Sequence, residues 1–350
     1  MCLERSIAGA VAHNASSAAA GILGPQLEHE EDGPTLALGL QGALATKRLL
    51  AALAAGGVED DVDLFTSAAV KVACDDISAI ALARRASWQK ARGLRVELVE
   101  GAQARRRVPA LAADVVSAAF FPDDHCLDPR VYARALRALA CARGVQLREA
   151  TMAGLLVEGG RCVGVQLAGG ALEGGDAVVL CAGAWSAVAP GVRELLGLTL
   201  KDVHPVKGHI VELAAAPGFL DRVIYGDCYL VPRSDGRIAC GSTMERVGFD
   251  TTVSDDDIAR IIARAVKTVP ALANARVVSS WAGLRPATPD GLPVLGASGV
   301  PGLWLSTGHF RNGVLLAAIS AEIIGALVAG DAVASLDLQP FLPERLGCFV

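Results

Sequence analysis

Aromatic residues are scarce in this chain of 350 residues. They make up 4% of the sequence, whereas apolar residues as a whole make up 52%. We therefore expect a hydrophobic core built mainly from alanine, valine and leucine. The length is sufficient for one large domain or two ordinary ones, and the composition is that of a globular protein.

Residue spacings that build metal sites or disulfide frameworks are missing. The nine cysteines are odd in number, scattered and never spaced C-x-x-C, and the six histidines show neither H-x-x-x-H nor H-E-x-x-H. We expect no metal site and no disulfide framework, and a reduced, cytoplasmic chain is the simpler interpretation. The G-x-S-x-G elbow of hydrolases and the P-loop are absent too.

An excess of positive charge is also missing. The formal net charge is −5, which argues against nucleic acid as a partner. The one basic cluster, Arg105–Arg107, is expected at a solvated loop or helix end. The first residues lack the pattern of a signal peptide. The longest apolar stretch, Val314–Ala329, is interrupted by Glu322 and is short for a membrane span, so we expect a buried helix and no membrane anchor.

Helical and strand patterns alternate along the chain, which predicts an α/β fold. The predicted helices cover residues 36–54, 77–91, 130–142 and 255–268. Asp128 and Pro129 give the third of these a capping residue and a proline at its first position. Glycine pairs between short apolar runs predict hairpins after residue 145, and Tyr229–Pro232 with Arg237–Cys240 predicts another.

Two apolar strands end in turns of small residues. The run ending in Val178–Leu180 lacks polar alternation, so we expect a strand covered on both faces, followed by a turn that contains Ala182 and Gly183. Leu303–Thr307 is followed by the turn Gly308–Gly313 and then by a helix. Ligands of open α/β sheets bind at the carboxyl ends of strands, so both turns are candidate ligand sites.

Arg285 stands between apolar residues and a proline in Trp281–Pro286. A buried guanidinium without a partner anion is costly, so this arginine needs a negative partner. A bidentate arginine is well suited to a substrate carboxylate. A structural ion pair with a carboxylate of the chain, such as Asp290, is an equally good explanation from spacing alone.

The turn after Thr307 contains His309, Arg311 and Asn312 between two glycines. Its backbone donors and the positive end of the following helix can stabilise negative charge on a ligand. Taken alone, an ordinary helix start capped by Asn312 is the favoured explanation. Two weaker candidates are the small-residue run Ser16–Leu23, which lets backbone approach a ligand closely, and the phenol of Tyr229.

Together, and in this order, the segments resemble the D-amino-acid oxidase family of flavin enzymes, and within it the bacterial glycine oxidases. Glu4 and Ser16–Leu23 resemble the end of the family's second sheet strand and its flavin-contacting loop. The further matching segments are 123–129, 178–186, 228–233, 281–286 and 308–316. The resemblance covers nearly the whole chain, and the last two segments are specific when they occur together with the others.

The resemblance implies an FAD enzyme that oxidises glycine or another small amino acid. Hydride passes from the substrate Cα to flavin N5, the imine hydrolyses to ammonia and an oxo acid, and molecular oxygen is reduced to hydrogen peroxide. In the family, the imine can feed the thiazole half of thiamine. Orientation and electrostatics dominate such a reaction, so no acid–base residue is required.

The resemblance also assigns roles to individual residues. Arg285 would bind the substrate carboxylate with help from Tyr229 and Arg311, and Glu4 would accept hydrogen bonds from the adenosine ribose. The other flavin contacts that it assigns are Ser16, Ser17, Gly21, Ile22, Ala182, Gly183, Gly308, His309, Arg311, Asn312 and Gly313.

The sequence departs from the family at its start, where no G-x-G-x-x-G occurs. We therefore expect a Rossmann-like FAD-binding domain without its first β-α unit, formed by residues 1–60, 125–195 and 285–345. It would be interleaved with an antiparallel substrate-binding domain of residues 61–124 and 196–284. Either the written start is a misplaced initiation site within a longer gene, which we favour, or the chain is truncated and binds flavin poorly.

Two other functions stay open. One is a dehydrogenase for D-amino acids or sarcosine that passes electrons to a carrier instead of oxygen. The other is a flavin-free remnant without activity. The family commonly self-associates, so the resemblance also allows a homo-oligomer.

Overall fold

The computed structural model describes residues 1–4, 14–58, 62–196, 203–333 and 336–346. Within them the α-helices are α1 (Ala15–Ala18), α2 (Pro25–Glu28), α3 (Pro34–Ala55), α4 (Asp76–Ala91), α5 (Gly101–Arg107), α6 (Pro129–Ala142), α7 (Val192–Leu196), α8 (Asp255–Thr268) and α9 (Gly313–Ala329). Short 3-10 helices cover Gly183–Val188, Pro270–Asn274, Gln339–Phe341 and Pro343–Leu346.

The strands of the described residues alternate with these helices. They are β1 (Cys2–Glu4), β2 (Ile22–Leu23), β3 (Ala69–Ala73), β4 (Glu97–Glu100), β5 (Ser117–Phe121), β6 (His125–Cys126), β7 (Leu147–Glu149), β8 (Met152–Glu158), β9 (Arg161–Leu167), β10 (Leu172–Gly174), β11 (Val178–Leu180), β12 (His204–Ala214), β13 (Ile224–Tyr225), β14 (Tyr229–Pro232), β15 (Arg237–Gly241), β16 (Val277–Ala287), β17 (Val294–Ala297) and β18 (Leu303–Thr307). The α/β prediction is confirmed.

The longer helices begin where the sequence supplies caps. The carboxylate of Asp128 accepts a hydrogen bond from the backbone N–H of Arg130 at 2.8 Å, and Pro129 opens α6. Asp75 and Ser78 form a reciprocal capping box at the start of α4. The five helices predicted from the sequence, including the buried helix Val314–Ala329, are confirmed, each to within two residues at either end. The basic cluster Arg105–Arg107 forms the last turn of α5, as expected.

An eight-stranded sheet dominates the fold, with the order β16-β12-β15-β14-β13-β3-β5-β4. All its pairs are antiparallel except β13 with β3. Its strands come from two separate stretches of chain, residues 69–121 and 204–287. Helix α8 covers part of one face, because Ile258, Ile261 and Ala265 recur at helical spacing and are buried in the core of this sheet.

Smaller sheets complete the fold. β1 pairs with β7 in parallel, and β11 pairs in parallel with β18, which also pairs antiparallel with β17. The hairpins β8-β9 and β9-β10 turn at the glycine pairs, as predicted, because Gly159, Gly160, Gly169 and Gly170 all have positive φ. The hairpin β14-β15 is confirmed as well.

Two details of the strand predictions are wrong. Val179 is 40% exposed and lines a cavity, so β11 is not covered by protein on both faces. The short run Val145–Leu147 predicts a strand, but Val145 is not part of β7. Its backbone N–H donates to the carbonyl of Ala140 at 2.9 Å and closes the C-terminal turn of α6, and Gly144 adopts a φ of +86° there.

Helices α3 and α9 pack closely against each other. A Cβ at Gly42 would lie 2.6 Å from the carbonyl oxygen of Leu315, so only glycine permits this approach. By length and composition, α3 is the described helix that could cross a membrane. A buried core helix can have the same length and composition, and Leu36 and Leu38 of α3 are buried within the protein.

Candidate functional site

A cavity of about 710 Å³ lies where three parts of the fold meet. They are the eight-stranded sheet, residues 15–22 (the α1 segment) and the start of α9. Residues 15, 16 and 18–22 contribute backbone and small side chains to its walls. Both strand-end turns predicted as ligand sites reach it, one through Gly183 and the other through His309, Phe310, Arg311 and Gly313. The volume is in the range of cofactor and small-ligand sites.

Three glycines in neighbouring strands let other parts of the chain approach one face of the sheet closely beside this cavity. Gly208 of β12 lies opposite Gly283 of β16, and Gly241 of β15 follows on the other side of β12. A Cβ at Gly283 would collide with the Cβ of Ala18, and one at Gly241 would lie 2.5 Å from the hydroxyl of Tyr229. Glycine inside a strand is a signal of such close approach, and it is the signal our sequence argument did not use.

Arg285 is held on β16 with its guanidinium in the cavity. Its nitrogens donate to the hydroxyl of Ser242 at 2.7 Å and to the carbonyl of Thr243 at 3.3 Å. None of the described carboxylates forms an ion pair with it, and Asp290 instead binds Arg345 at 2.6 Å. The structural explanation for Arg285, a pair with Asp290, is therefore wrong. Burial lowers the pKa of Arg285. Arg285 is thus a cation in the cavity wall whose described hydrogen-bonding partners are neutral.

Tyr229 of β14 lies beside this arginine. Its hydroxyl is within hydrogen-bonding reach of both the Arg285 guanidinium and Ser242. Burial raises the pKa of Tyr229, so its hydroxyl keeps its proton at neutral pH and can donate to an anion. Arg285 and Tyr229 thus present a positive charge and a neutral donor to the same part of the cavity.

Arg311 lines the same cavity, but its charge has a partner. It forms an ion pair with Glu28, the last residue of α2, and donates to the hydroxyl of Tyr225 at 2.8 Å. Glu28 raises the pKa of Arg311 further above its usual value. Sequence reasoning missed Glu28 and Tyr225, because neither belongs to a motif and the two are far apart in the chain.

The start of α9 faces the cavity without a side-chain cap. Asn312 is the capping residue, yet its side chain makes no capping hydrogen bond, so the ordinary capped start favoured for the isolated turn is not found. His309 lies 2.9 Å from the hydroxyl of Ser320, and burial lowers its pKa to about 4, so the ring is neutral at physiological pH. Gly313 and the positive end of the helix are open to the cavity.

The carbonyls of the α1 segment are tied to side chains from elsewhere in the chain. Trp281 donates from Nε1 to the carbonyl of Ala18 at 3.0 Å, and Arg233 donates to that of Ala20 at 2.7 Å. The Nε of Arg130 donates to the carbonyl of Ser17 at 3.2 Å, and its guanidinium stacks 4.3 Å from the centre of the Trp281 ring. These contacts position the α1 segment, whose own side chains are mostly small.

The fold brings most of the predicted site residues to this one cavity. The residues in its walls are Ser16, Gly21, Ile22, Gly183, Tyr229, Arg285, His309, Arg311 and Gly313. Those outside its walls are Glu4, Ser17, Ala182, Gly308 and Asn312. The last four of these are chain neighbours of lining residues, whereas Glu4 lies at the end of β1 and pairs with Arg137 at 2.7 Å.

A group with metal-binding potential lies outside these walls, with one residue each from β12, the loop after β15 and α8. The ligand atoms of His209, Glu245 and Asp257 are within 4.8 Å of one another. The ring of His209 is buried, and its nitrogens contact Glu245 at 3.1 Å and the backbone N–H of Ser254 at 3.2 Å. These hydrogen bonds account for the buried ring and connect β12 to the start of α8.

Comparison with known proteins agrees with this arrangement. The family of FAD dependent oxidoreductases (DAO) matches residues 3–327. The glycine oxidase of Pseudomonas putida is 42% identical over 224 residues, which are 63% of this chain and 60% of that protein. The bifunctional protein ThiO/ThiG of a Nostoc species is 37% identical over 69% of this chain and 38% of that protein.

A solved structure extends the match over nearly the whole chain. The crystal structure of glycine oxidase from Geobacillus kaustophilus superposes with a TM-score of 0.89 at 32% identity and covers 98% of this chain and 91% of that one. The Pseudomonas putida match spans less than two thirds of that relative's own length. By the extent of the family match and the shared fold, the chain belongs to the D-amino-acid oxidase family of FAD-dependent oxidoreductases.

Proposed function

We propose that the protein catalyses the oxidative deamination of glycine or another small amino acid. Overall, glycine, oxygen and water become glyoxylate, ammonia and hydrogen peroxide. One observation carries the proposal: the cavity contains Arg285, a guanidinium with no carboxylate partner among the described residues, next to the protonated hydroxyl of Tyr229. This pair matches the charge and geometry of a substrate carboxylate.

The residues of the site orient the substrate in this proposal. Arg285 and Tyr229 fix the carboxylate, and the rest of the cavity holds the α-carbon and amine. The guanidinium donates hydrogen bonds to Ser242 and to the carbonyl of Thr243, so the arginine is positioned before substrate binds. Arg311 assists the carboxylate only at longer range, because Glu28 already neutralises it.

The residues around the cavity fit FAD, the cofactor of the family. Residues 16–22 offer close backbone approach, Gly183 faces open space, and the uncapped start of α9 offers N–H groups and a positive dipole end. We propose that Ser16, Ser17, Gly21, Ile22, Ala182, Gly183 and residues 308–313 hold it, with Glu4 at the ribose. When bound, FAD supplies the two-electron acceptor for amine oxidation. Because His309 is neutral, it adds no positive charge to that of the helix end.

The domain division proposed from the sequence stays a proposal. It assigns residues 1–60, 125–195 and 285–345 to FAD binding, and residues 61–124 and 196–284 to substrate binding. It is supported by the eight-stranded sheet, whose strands come from residues 69–121 and 204–287. We further propose a cytoplasmic, homo-oligomeric enzyme that contributes to thiazole synthesis for thiamine, in line with the likeness to ThiO/ThiG.

The test uses Arg285→Lys in the chain loaded with FAD, with peroxide formation from glycine as the assay. Lysine keeps the charge but loses the bidentate geometry. We expect kcat/KM to fall about 10- to 100-fold, since a hydrogen bond to a charged group contributes about 1.5–3 kcal/mol. Arg48→Lys, an exposed arginine paired with Glu322, is the matched control.

Three results would contradict the proposal. The first is an unchanged kcat/KM in Arg285→Lys. The second is reduction of a dye without peroxide, which indicates a dehydrogenase that uses a carrier. The third is a chain that shows no flavin absorbance after FAD is added and the excess removed.

A further inference from the structure

The two guanidinium groups of the cavity differ in their partners. Arg311 is paired with Glu28 and donates to Tyr225, whereas the described partners of Arg285 are the neutral oxygens of Ser242, Thr243 and Tyr229. Both arginines line the same cavity, and they are close enough for Arg311 to lower the pKa of Arg285. The cavity therefore contains two cations and one carboxylate, and only one cation is without an anionic partner.

Glu28 is well placed to neutralise Arg311, so that Arg285 is the cation of the cavity without an anionic partner among the described residues. The side chain of Glu28 is 9% exposed, and Glu28 is the final residue of the short helix α2. Asp124 holds the start of that helix, where it accepts a hydrogen bond from the backbone N–H of Leu27 at 2.6 Å. The carboxylate is thus positioned by the backbone of α2, and its ion pair with Arg311 does not depend on a bound ligand.

We propose that Glu28 is a specificity-determining residue that restricts the site to amino acids with one anionic group. A substrate with a second carboxylate would have to displace Glu28 from Arg311 or lie next to the buried carboxylate of Glu28. Both alternatives are unfavourable, because like charges repel strongly where water is limited. The inference rests on the proposed function, since it takes Arg285 as the site of the first carboxylate.

The experiment compares one-carboxylate and two-carboxylate ligands in the FAD-loaded protein. Glycolate and malonate are the binding probes, measured by calorimetry, and glycine and iminodiacetate are the substrates. In Glu28→Gln, Arg311 keeps a hydrogen-bonding partner but loses its counter-charge. We expect malonate affinity and kcat/KM for iminodiacetate to rise about tenfold or more, which corresponds to about 1.4 kcal/mol, with smaller changes for glycolate and glycine.

Two further variants make the result specific. Glu31→Gln removes a carboxylate from an exposed position on the same segment outside the cavity walls, and we expect no change in selectivity. Glu28→Asp keeps the charge and should retain the preference of the wild type. In the double variant Glu28→Gln with Arg311→Gln, the gain for malonate should disappear, which assigns it to Arg311.

The outcomes separate the two proposals. If the wild type binds glycolate but folded Glu28→Gln gains nothing for malonate or iminodiacetate, the role of Glu28 is wrong and the proposed function stands. An equal gain in Glu31→Gln would also overturn the inference, since a general change in charge would explain it. If the wild type neither binds glycolate nor oxidises glycine, the proposed function itself is wrong, and the inference is refuted with it.

Discussion

Replacement of Gly208 by alanine should displace Arg285 without unfolding the protein. A Cβ on Gly208 would lie 2.5 Å from the Cζ of Arg285 and would overlap with the guanidinium nitrogens. Ordinary contact requires at least about 3.4 Å, so the guanidinium must move by about 1 Å. It would then lose its geometry toward Ser242 and toward a substrate carboxylate. A misplacement of this size can cost about 100-fold in kcat/KM.

Peroxide formation as a function of glycine concentration is the assay, with thermal unfolding measured on the same samples. We expect a higher KM and little loss of Tm, because the atoms that must move are the flexible end of a side chain. Gly33→Ala is the matched control, since a Cβ there would meet nothing within 4 Å. A folded Gly208→Ala protein with unchanged kcat/KM would show that Arg285 does not bind the substrate.

Two further predictions concern the supports of the site. Trp281→Phe removes the hydrogen bond to the carbonyl of Ala18, so we expect about 1–2 kcal/mol lower stability and weaker FAD binding, and an unchanged FAD affinity would contradict the role of this contact. Burial raises the pKa of Asp124 to about 8, so its protonated form stabilises the fold below about pH 4, and this contribution is lost as the pH rises toward 8. The slope is about 1.4 kcal/mol per pH unit, and Asp124→Asn should flatten the dependence of the denaturation midpoint on pH, whereas parallel profiles for the two proteins would refute the shift.

The local elements were predictable because their signals are local. Asp128, Pro129 and Gly144 lie within a few residues of the ends of α6 and determine where it begins and ends. The family was predictable for a related reason, since its motifs are short and occur in a fixed order along the chain. That prediction is confirmed by the family match over residues 3–327.

The partners of the charged groups were not predictable, because they depend on tertiary contacts. From sequence spacing, a substrate carboxylate and Asp290 were equally good partners for Arg285. Only the fold shows that Asp290 binds Arg345. The pair of Glu28 with Arg311 joins residues that are 283 positions apart. The roles predicted for individual site residues stay predictions until the variants are measured.

The glycine-lined face of the sheet also determines how this pocket can change. At Gly208, Gly241 and Gly283 the side-chain volume is already at its minimum, so no substitution there can enlarge the space for substrate. Selection or redesign for bulkier amino acids must therefore act on other residues of the cavity wall, such as Ile210 and Leu284 of the sheet or the small residues of the α1 segment. At the three glycines themselves, substitutions can only narrow the range of substrates.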